Sequence, residues 1–134
     1  MKIVLDSNII IAAFSSRGLC TSVFELCLDR YTIVISDFIL SEVSRILHNK
    51  FKMPFRNVSA IVAYLKEFCI VTSYDKLPKR ICRHQFDDEI LALAISNGVD
   101  CIITGDKDLL DLKDYQSIKI VSPRQFWVIA RAGN

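Results

Sequence analysis

Five acidic side chains, Asp6, Glu42, Asp88, Asp106 and Asp108, occupy positions in this sequence that suggest chemistry. Carboxylate oxygens are the ligands that Mg²⁺ and Mn²⁺ prefer in proteins. A divalent ion held by such a cluster can orient a water molecule, lower its pKa and stabilise the charge that builds on a phosphodiester. If the fold brings these acids together, the sequence predicts a metal-dependent site that acts on phosphate esters.

The segments that would position these acids alternate between strands and helices. Aliphatic and β-branched runs predict five strands, at residues 2–5, 32–35, 70–72 (at the sheet edge), 101–104 and 118–121. Amphipathic segments and capping residues predict helices over 9–14, 22–29 after Thr21, 36–49, 57 or 59 to 68, 87–97, 106–110 and from Ser122 onward. This alternation favours a single α/β domain over residues 1–134, with three layers (α/β/α) and a mainly parallel central sheet.

The predicted topology brings four of the acids to one edge of the sheet. Ligands of such sheets bind beyond the carboxyl ends of the strands, where Asp6 and Asp106 follow the first and fourth strands. Helix N-termini face the same edge, so Asp88 lies there, and Glu42 can reach it because helical side chains lean toward the N-terminus. At 100° per residue, both helical acids lie on or beside a buried face. Their mutual repulsion would be resolved by a divalent cation.

Each acid alone has an ordinary structural interpretation. An Asp after a strand is usually a turn former, and an Asp pair at a helix start usually stabilises the helix dipole. A single helical Glu is usually solvated, and Asp108 fits a helix start better than a primary metal ligand. The expected convergence of four acids on one edge is what favours a metal site.

Five short motifs also occur in a fixed order along the chain. They are Val4-Leu5-Asp6-Ser7-Asn8, Ser36-Asp37 with Glu42, Asp87-Asp88 with Leu91-Ala92-Leu93-Ala94, Thr104-Gly105-Asp106-Lys107-Asp108-Leu109-Leu110 and Ser122-Pro123-Arg124-Gln125-Phe126. In this order they resemble the PIN-domain ribonucleases, specifically the VapC-like toxins of type II toxin–antitoxin pairs. The resemblance covers residues 1–127, and the ordered set is specific although no single motif is. One departure is Phe86, where relatives often have proline.

The resemblance implies roles for particular residues. The family's catalytic acids, which hold Mg²⁺ or Mn²⁺, fall on Asp6, Glu42, Asp88 and Asp106. Positions that support the site fall on Asn8, Thr104 and, as an additional acid, Asp108. The resemblance also implies endoribonuclease activity on RNA, inhibition by a cognate antitoxin protein, and homodimerisation. Composition and spacing establish none of these three.

A basic segment lies just before the helix that contains Asp88. Its cations include Lys79, Arg80 and Arg83. Contacts with RNA phosphates and a solvated basic loop explain them equally well. Because the net charge is only +2, a nucleic-acid partner has to be inferred from such local patches.

Composition limits the class of protein. With 51% hydrophobic residues a substantial core is expected, yet the longest apolar runs are far too short to span a bilayer. Asp6 interrupts the start of any signal-like segment. We therefore expect a soluble cytoplasmic protein with no membrane association. The five cysteines are odd in number and lack C-x-x-C spacing, which predicts free thiols rather than disulfides or a zinc site.

Three alternatives remain open on sequence alone. The Asp106-Lys107-Asp108 motif also fits an aspartate-nucleophile phosphotransferase of the haloacid dehalogenase type, although little chain follows it. The chain could also be a PIN-like module that binds RNA or protein without cutting. For Phe51, Met53 and Phe55, core packing is slightly favoured over a groove for an antitoxin helix or a dimer contact.

Overall fold

A computed structural model describes residues 1–132. The strands are β1 (Lys2–Leu5), β2 (Thr32–Ile35), β3 (Ile70–Val71), β4 (Cys101–Ile103), β5 (Asp114–Tyr115) and β6 (Ile118–Val121). The helices are α1 (Ser7–Ser15), α2 (Leu19–Arg30), α3 (Asp37–Asn49), α4 (Phe55–Phe68), α5 (Gln85–Ser96), α6 (Lys107–Leu110) and α7 (Pro123–Ala132). The strands form one sheet in the order β3-β2-β1-β4-β6-β5. All neighbours are parallel except β5 and β6, which confirms the predicted α/β fold with a mainly parallel sheet.

The core is centred on the inner strands. Ile3, Val4 and Leu5 of β1 are 0–1% exposed, because β1 lies between β2 and β4 and helices cover the sheet. Such continuous apolar runs are typical of parallel strands that are covered on both faces. Each fully buried aliphatic side chain contributes about 1.5–3 kcal/mol. The central strands β1 and β4 therefore give rigid support to the residues that follow Leu5 and Ile103 at their carboxyl ends.

Helix packing places α1, α3 and α5 around these strands. α1 packs against α2 and α3, α3 packs against α4, and α5 packs against β1. Ser36 caps α3 as predicted, since its hydroxyl accepts the N–H of Ile39 at 3.2 Å. Thr21 does not cap α2: its hydroxyl instead donates to Ala13 O and Ser16 O, at 3.0 Å each.

The start of α4 and the presence of β5 differ from the sequence-based expectation. α4 starts at Phe55, directly after Pro54, because proline is compatible with a helix start. The short strand β5 was not predicted. It pairs with β6 through a turn in which Gln116 and Ser117 have φ of 48° and 74°, and these residues give no Asn-Gly type of hairpin signal.

The remaining expectations concern thiols and membranes. All five cysteines are free, and all but Cys20 are buried, as predicted. Among residues 1–132 no single helix is long and apolar enough to cross a membrane. α1 and α2 meet the length and hydropathy criteria only as a pair bent by 109°.

Candidate active site

The adjacent strands β1 and β4 bring Asp6 and Thr104 together at the carboxyl edge of the sheet. The Asp6 N–H donates to Ile103 O at 2.9 Å, which extends the ladder by one residue. The Thr104 hydroxyl then donates to Asp6 Oδ2 at 2.7 Å. Asp6 is 2% exposed and Thr104 is 0% exposed, so this bond fixes the orientation of a buried carboxylate. The predicted proximity of Thr104 to the site is therefore present.

Asn8 and Thr104 also tie the segment after β4 to the start of α1. The Gly105 N–H donates to Asn8 Oδ1 at 3.3 Å, and Asn8 Nδ2 lies 3.5 Å from Asp6 Oδ2. The Asp106 N–H donates to the Thr104 hydroxyl at 2.9 Å. Both residues thus hold Asp6 and Asp106 in fixed positions relative to each other.

Asp106 is the N-cap of the short helix α6. Its Oδ1 accepts the N–H of Asp108 at 2.8 Å, which leaves Oδ2 for another partner. Carboxylate oxygens of Asp87, Asp106 and Asp108 lie within 4.8 Å of one another. Three acids from α5 and α6 therefore face one small volume that could hold a cation.

Asp87, and not its neighbour Asp88, faces this cluster. Asp87 is 1% exposed, and its Oδ2 is buried with no hydrogen-bond partner. A buried carboxylate oxygen without a partner is costly. This oxygen fits a site whose missing partner is a cation.

Asp88 points toward the preceding loop instead. The Ile81 N–H lies 3.3 and 3.2 Å from its two carboxylate oxygens, and the Cys82 N–H donates to Oδ1 at 2.7 Å. Arg80 Nε lies 3.7 Å from Oδ2. The expectation that Asp88 joins Asp6, Glu42 and Asp106 is thus corrected: its carboxylate is fully occupied in holding the loop.

A periodicity signal could have found Asp87. Side chains three, four and seven residues further along a helix share one face. For Asp87 these are Ile90, Leu91 and Ala94, all 0% exposed. Asp87 therefore lies on the most buried stripe of α5, whereas Asp88 lies one residue around the helix, beside the loop.

Glu42 reaches the site from the second turn of α3. It lines a pocket of ≈ 220 Å³ together with Asp6 and Asp106, so these three predicted acids are brought together. Glu42 also forms an ion pair with Arg45, one turn along the same helix. That pair is largely exposed on the arginine side, where solvent weakens it.

The acids raise one another's pKa. Burial raises the pKa of Asp6 from 3.8 to about 6; the Thr104 bond lowers it, and the charges of Asp106 and Glu42 raise it. Burial raises the pKa of Asp87 to about 7, with further increases from the adjacent Asp106 carboxylate and from the charges of Asp6 and Asp108. A cation among these groups would favour their ionised forms.

The predicted cations of the loop are partly engaged with acids of the site. Arg83 forms an ion pair with Asp108 at 3.0 Å, and His84 Nε2 lies 3.6 Å from Asp108 Oδ2. Arg80 donates to Cys82 O and Arg83 O besides facing Asp88. Lys79 is exposed and lines a separate pocket of ≈ 290 Å³ with Arg80 and Asp88. The basic segment thus borders the acid cluster.

Comparisons with known proteins agree with this geometry. A family model described as the PIN domain matches residues 2–108, a span that includes every acid of the site. The chain belongs to the PIN-domain family. A curated protein of Methanocaldococcus jannaschii, described as uncharacterised, is 26% identical over 139 aligned positions, gaps included; the match covers 94% of this chain and 89% of that protein.

Two solved structures show the same fold as this PIN domain. One, titled VapBC2 from Rickettsia felis bound to a DNA fragment from their promoter, has a TM-score of 0.64 at 14% identity. The match covers 91% of this chain and 98% of the other. The second, Mycobacterium tuberculosis VapC20, titled a sarcin–ricin loop cleaving toxin, has a TM-score of 0.60 at 13% identity. It covers 87% of this chain and 98% of the other. The fold is therefore VapC-like.

Proposed function

We propose that this PIN domain is a Mg²⁺- or Mn²⁺-dependent endoribonuclease that cleaves RNA phosphodiesters in the cytoplasm, as the toxin of a toxin–antitoxin pair. The observation that carries the proposal is the buried Asp87 carboxyl, with one oxygen lacking a partner, against Asp106 and Asp108. Among residues 1–132 no Lys, Arg or His forms an ion pair with Asp6, Asp87 or Asp106. The central acids thus lack a positive partner.

A divalent cation fits the residues at this edge. The donors are carboxylate oxygens, the hard ligands that Mg²⁺ and Mn²⁺ prefer, and they include an oxygen that has no other partner. We propose that Asp6, Asp87 and Asp106 hold the ion, with Glu42 completing the acidic set in place of the predicted role of Asp88. When bound, such an ion lowers the pKa of a water molecule and stabilises charge on a phosphodiester.

The surrounding residues keep the acids in fixed positions. Thr104 donates to Asp6 Oδ2 and accepts the N–H of Asp106, so one hydroxyl fixes two carboxylates. Asp108, paired with Arg83, is proposed to balance charge at the rim. A site fixed in this way loses little energy to rearrangement when substrate arrives.

The deciding experiment is RNA cleavage by purified protein with Mg²⁺ or Mn²⁺, compared with chelator and with two matched variants. Asp87→Asn should lower the rate of cleavage about 10²–10³-fold, while Asp88→Asn, the same change one residue away, should retain most of it. Cleavage that survives both chelator and Asp87→Asn would indicate a contaminating nuclease. No cleavage of any RNA would favour a PIN module that binds without cutting.

Metal binding can be measured without RNA. We expect Mn²⁺ to raise the melting temperature of the wild-type protein, because a ligand at 100 times its Kd stabilises by about 2.7 kcal/mol. Asp87→Asn should lose most of this shift, and Asp88→Asn should keep it. Equal shifts in both variants would place the metal elsewhere.

The toxin assignment rests on the family and on the VapC-like fold, and it requires a protein partner. α4 and the edge strand β3 expose large apolar side chains, including Phe55 (69% exposed), Phe68 (54%) and Ile70 (52%). Phe55 and Phe51 (46% exposed) are not core residues, contrary to the slightly favoured expectation. Apolar patches of this kind commonly mark protein contacts. We propose that they bind the cognate antitoxin or a second copy of the chain.

The partner proposal has its own test. Phe55→Asp should leave a soluble monomer that no longer co-purifies with the product of an adjacent small open reading frame. Retained complex and unchanged oligomeric state would argue against this surface. Insoluble protein would show that Phe55 stabilises the fold.

A further inference from the structure

The pocket that contains the acids also has an apolar part. Besides Asp6, Glu42 and Asp106 it is lined by Ile11 and Ile46, and also by Phe86. Aliphatic side chains offer neither a ligand for a divalent cation nor a hydrogen bond, and a phenyl ring mainly offers a flat apolar face. This part of the pocket therefore fits an uncharged, flat or apolar portion of whatever the acids act upon.

A second aromatic ring extends this apolar wall to the surface. Phe38, the second residue of α3, has its ring centroid 5.1 Å from that of Phe86, the second residue of α5, with 50° between the ring planes. Both rings lie at helix N-termini, which face the carboxyl edge of the sheet. Phe38 remains 39% exposed. Part of Phe38 is therefore accessible to a ligand next to Phe86, which lines the acid pocket.

Electrostatics argues for an uncharged contact at this place. Without its cation the acid pocket repels an RNA backbone, and the net charge of the chain is only +2. Arg45 and Arg83 at the rim are already paired with Glu42 and Asp108. Affinity for RNA then has to come partly from contacts that do not depend on phosphate charge. Stacking of a base on an aromatic ring is such a contact, and it tolerates any sequence.

We propose that Phe38, together with Phe86, is a stacking platform for one nucleobase next to the phosphodiester that is cleaved. This inference rests on the proposed ribonuclease function and names its substrate class, single-stranded RNA. Bases within an RNA duplex are already stacked on each other and cannot splay onto the ring. Phe38 is accordingly a specificity-determining residue for unpaired RNA, and its partial exposure at the start of α3 leaves room for a base.

The test uses short single-stranded RNA and four variants. Phe38→Ala and Phe38→Leu should each raise KM about 10-fold, the effect of losing one stacked base, with kcat changed less. Phe38→Trp should keep KM near the wild-type value, because it restores an aromatic face. Ile129→Ala, which truncates an exposed apolar side chain on α7, is the control and should leave KM unchanged. Melting curves establish that each variant is folded.

A binding measurement keeps the inference separate from the ribonuclease proposal. In the Asp87→Asn background, RNA with 2-aminopurine beside the cleavage position should show quenching that Phe38→Ala removes, while the salt dependence of binding is unchanged. Quenching without any wild-type cleavage would refute the ribonuclease proposal alone. Cleavage with KM unaffected by Phe38→Ala, or Phe38→Leu as good as wild type, would overturn the stacking platform. Loss of a co-purified protein alone would assign the ring to a protein partner and also overturn it.

Discussion

Asp87 and Asp88 are neighbours in the first turn of one helix, both nearly buried, and their surroundings are opposite. Asp87 is 1% exposed, and next to it lie the carboxylates of Asp106 and Asp108, with one of its own oxygens unpartnered. Asp88 is 9% exposed, and it accepts two backbone N–H groups and faces Arg80. Burial of an acid thus has two meanings. A buried carboxylate that is surrounded by hydrogen-bond donors, such as Asp88, stabilises the local structure. A buried carboxylate that lacks donors, such as Asp87, indicates a site for an external cation.

The difference between Asp87 and Asp88 should have its largest effect on the rate of RNA cleavage. Asp87→Asn removes a proposed metal ligand and should lower the rate of RNA cleavage about 10²–10³-fold, the size of losing several kcal/mol of charge stabilisation. Asp88→Asn should stay within about 5-fold of wild type, because it retains the shape of the side chain and one acceptor. Initial rates at saturating Mn²⁺ measure both. Equal losses in the two variants would remove the distinction between the acids.

The next largest effect should be on the way in which the free energy of unfolding depends on pH. A carboxyl with a higher pKa in the folded state binds its proton more tightly there, so it stabilises the fold when protonated. For Asp6 and Asp87, with pKa values of about 6 and about 7, this stabilisation is lost as pH rises toward 7. The metal-free protein should therefore be more stable at pH 5 than at pH 8. The raised pKa of Asp6 is worth about 3 kcal/mol in full, and about half of this is lost between these two pH values.

Thermal unfolding in chelator at both pH values tests this. Asp87→Asn retains both histidines and every other acid, so it is the matched control, and its pH 5 to pH 8 difference should be smaller. The variant should also be more stable than wild type at pH 8, because it lacks a buried charge. A difference of the same size in both proteins would contradict the assigned cause.

Replacing Asp88 should lower the stability of the fold, the opposite of the effect expected for Asp87→Asn at pH 8. Asp88→Ala leaves the N–H groups of Ile81 and Cys82 without their acceptor and Arg80 without its ion pair, which should lower the free energy of unfolding by about 2 kcal/mol. Hydrogen exchange should accelerate at those two amides. Asp88→Asn should lose less, since an amide oxygen still accepts a hydrogen bond. Unchanged exchange at both amides would show that the loop does not depend on this carboxylate.

The smallest effect concerns the cations that neighbour the two acids. Replacing Arg80 and Arg83 with Gln should weaken RNA binding and reduce the slope of log K against log salt by about 1 for each phosphate that is no longer neutralised. Because both arginines already contact protein acceptors, the change in affinity should be modest. A salt slope identical to that of wild type would restrict them to holding the loop.

The sequence predicts those parts of the site that follow from strand positions and helical periodicity. Asp6 and Asp106 could be located because each follows a buried strand, and the order of parallel strands places them side by side. The position of Glu42 could be predicted because Ser36 marks the start of α3. Periodicity favours Asp87 over Asp88, because Asp87 lies on the most buried stripe of α5. The role of Asp88 instead depends on the conformation of residues 79–84, whose backbone N–H groups bind its carboxylate. No periodic pattern specifies such a loop.

Two other features of the fold could not be predicted from the sequence, for similar reasons. β5 depends on left-handed backbone at Gln116 and Ser117, which non-glycine residues adopt only in a suitable tertiary setting. The Phe38–Phe86 contact joins residues from two helices that are far apart in the chain. Sequence patterns reveal that each ring lies near a helix start, and only the packing of α3 and α5 shows that they meet.

The strand order has a practical consequence for building a conditional enzyme. β3, β2 and β1 form one half of the sheet, and β4, β6 and β5 form the other. The single chain crossing between the halves is the stretch that contains residues 72–84. A break there would yield one fragment with Asp6 and Glu42 and a second with Asp87 and Asp106. Each fragment would lack half of the proposed metal site, and fusing the two to proteins that associate on command would assemble that site only when they meet.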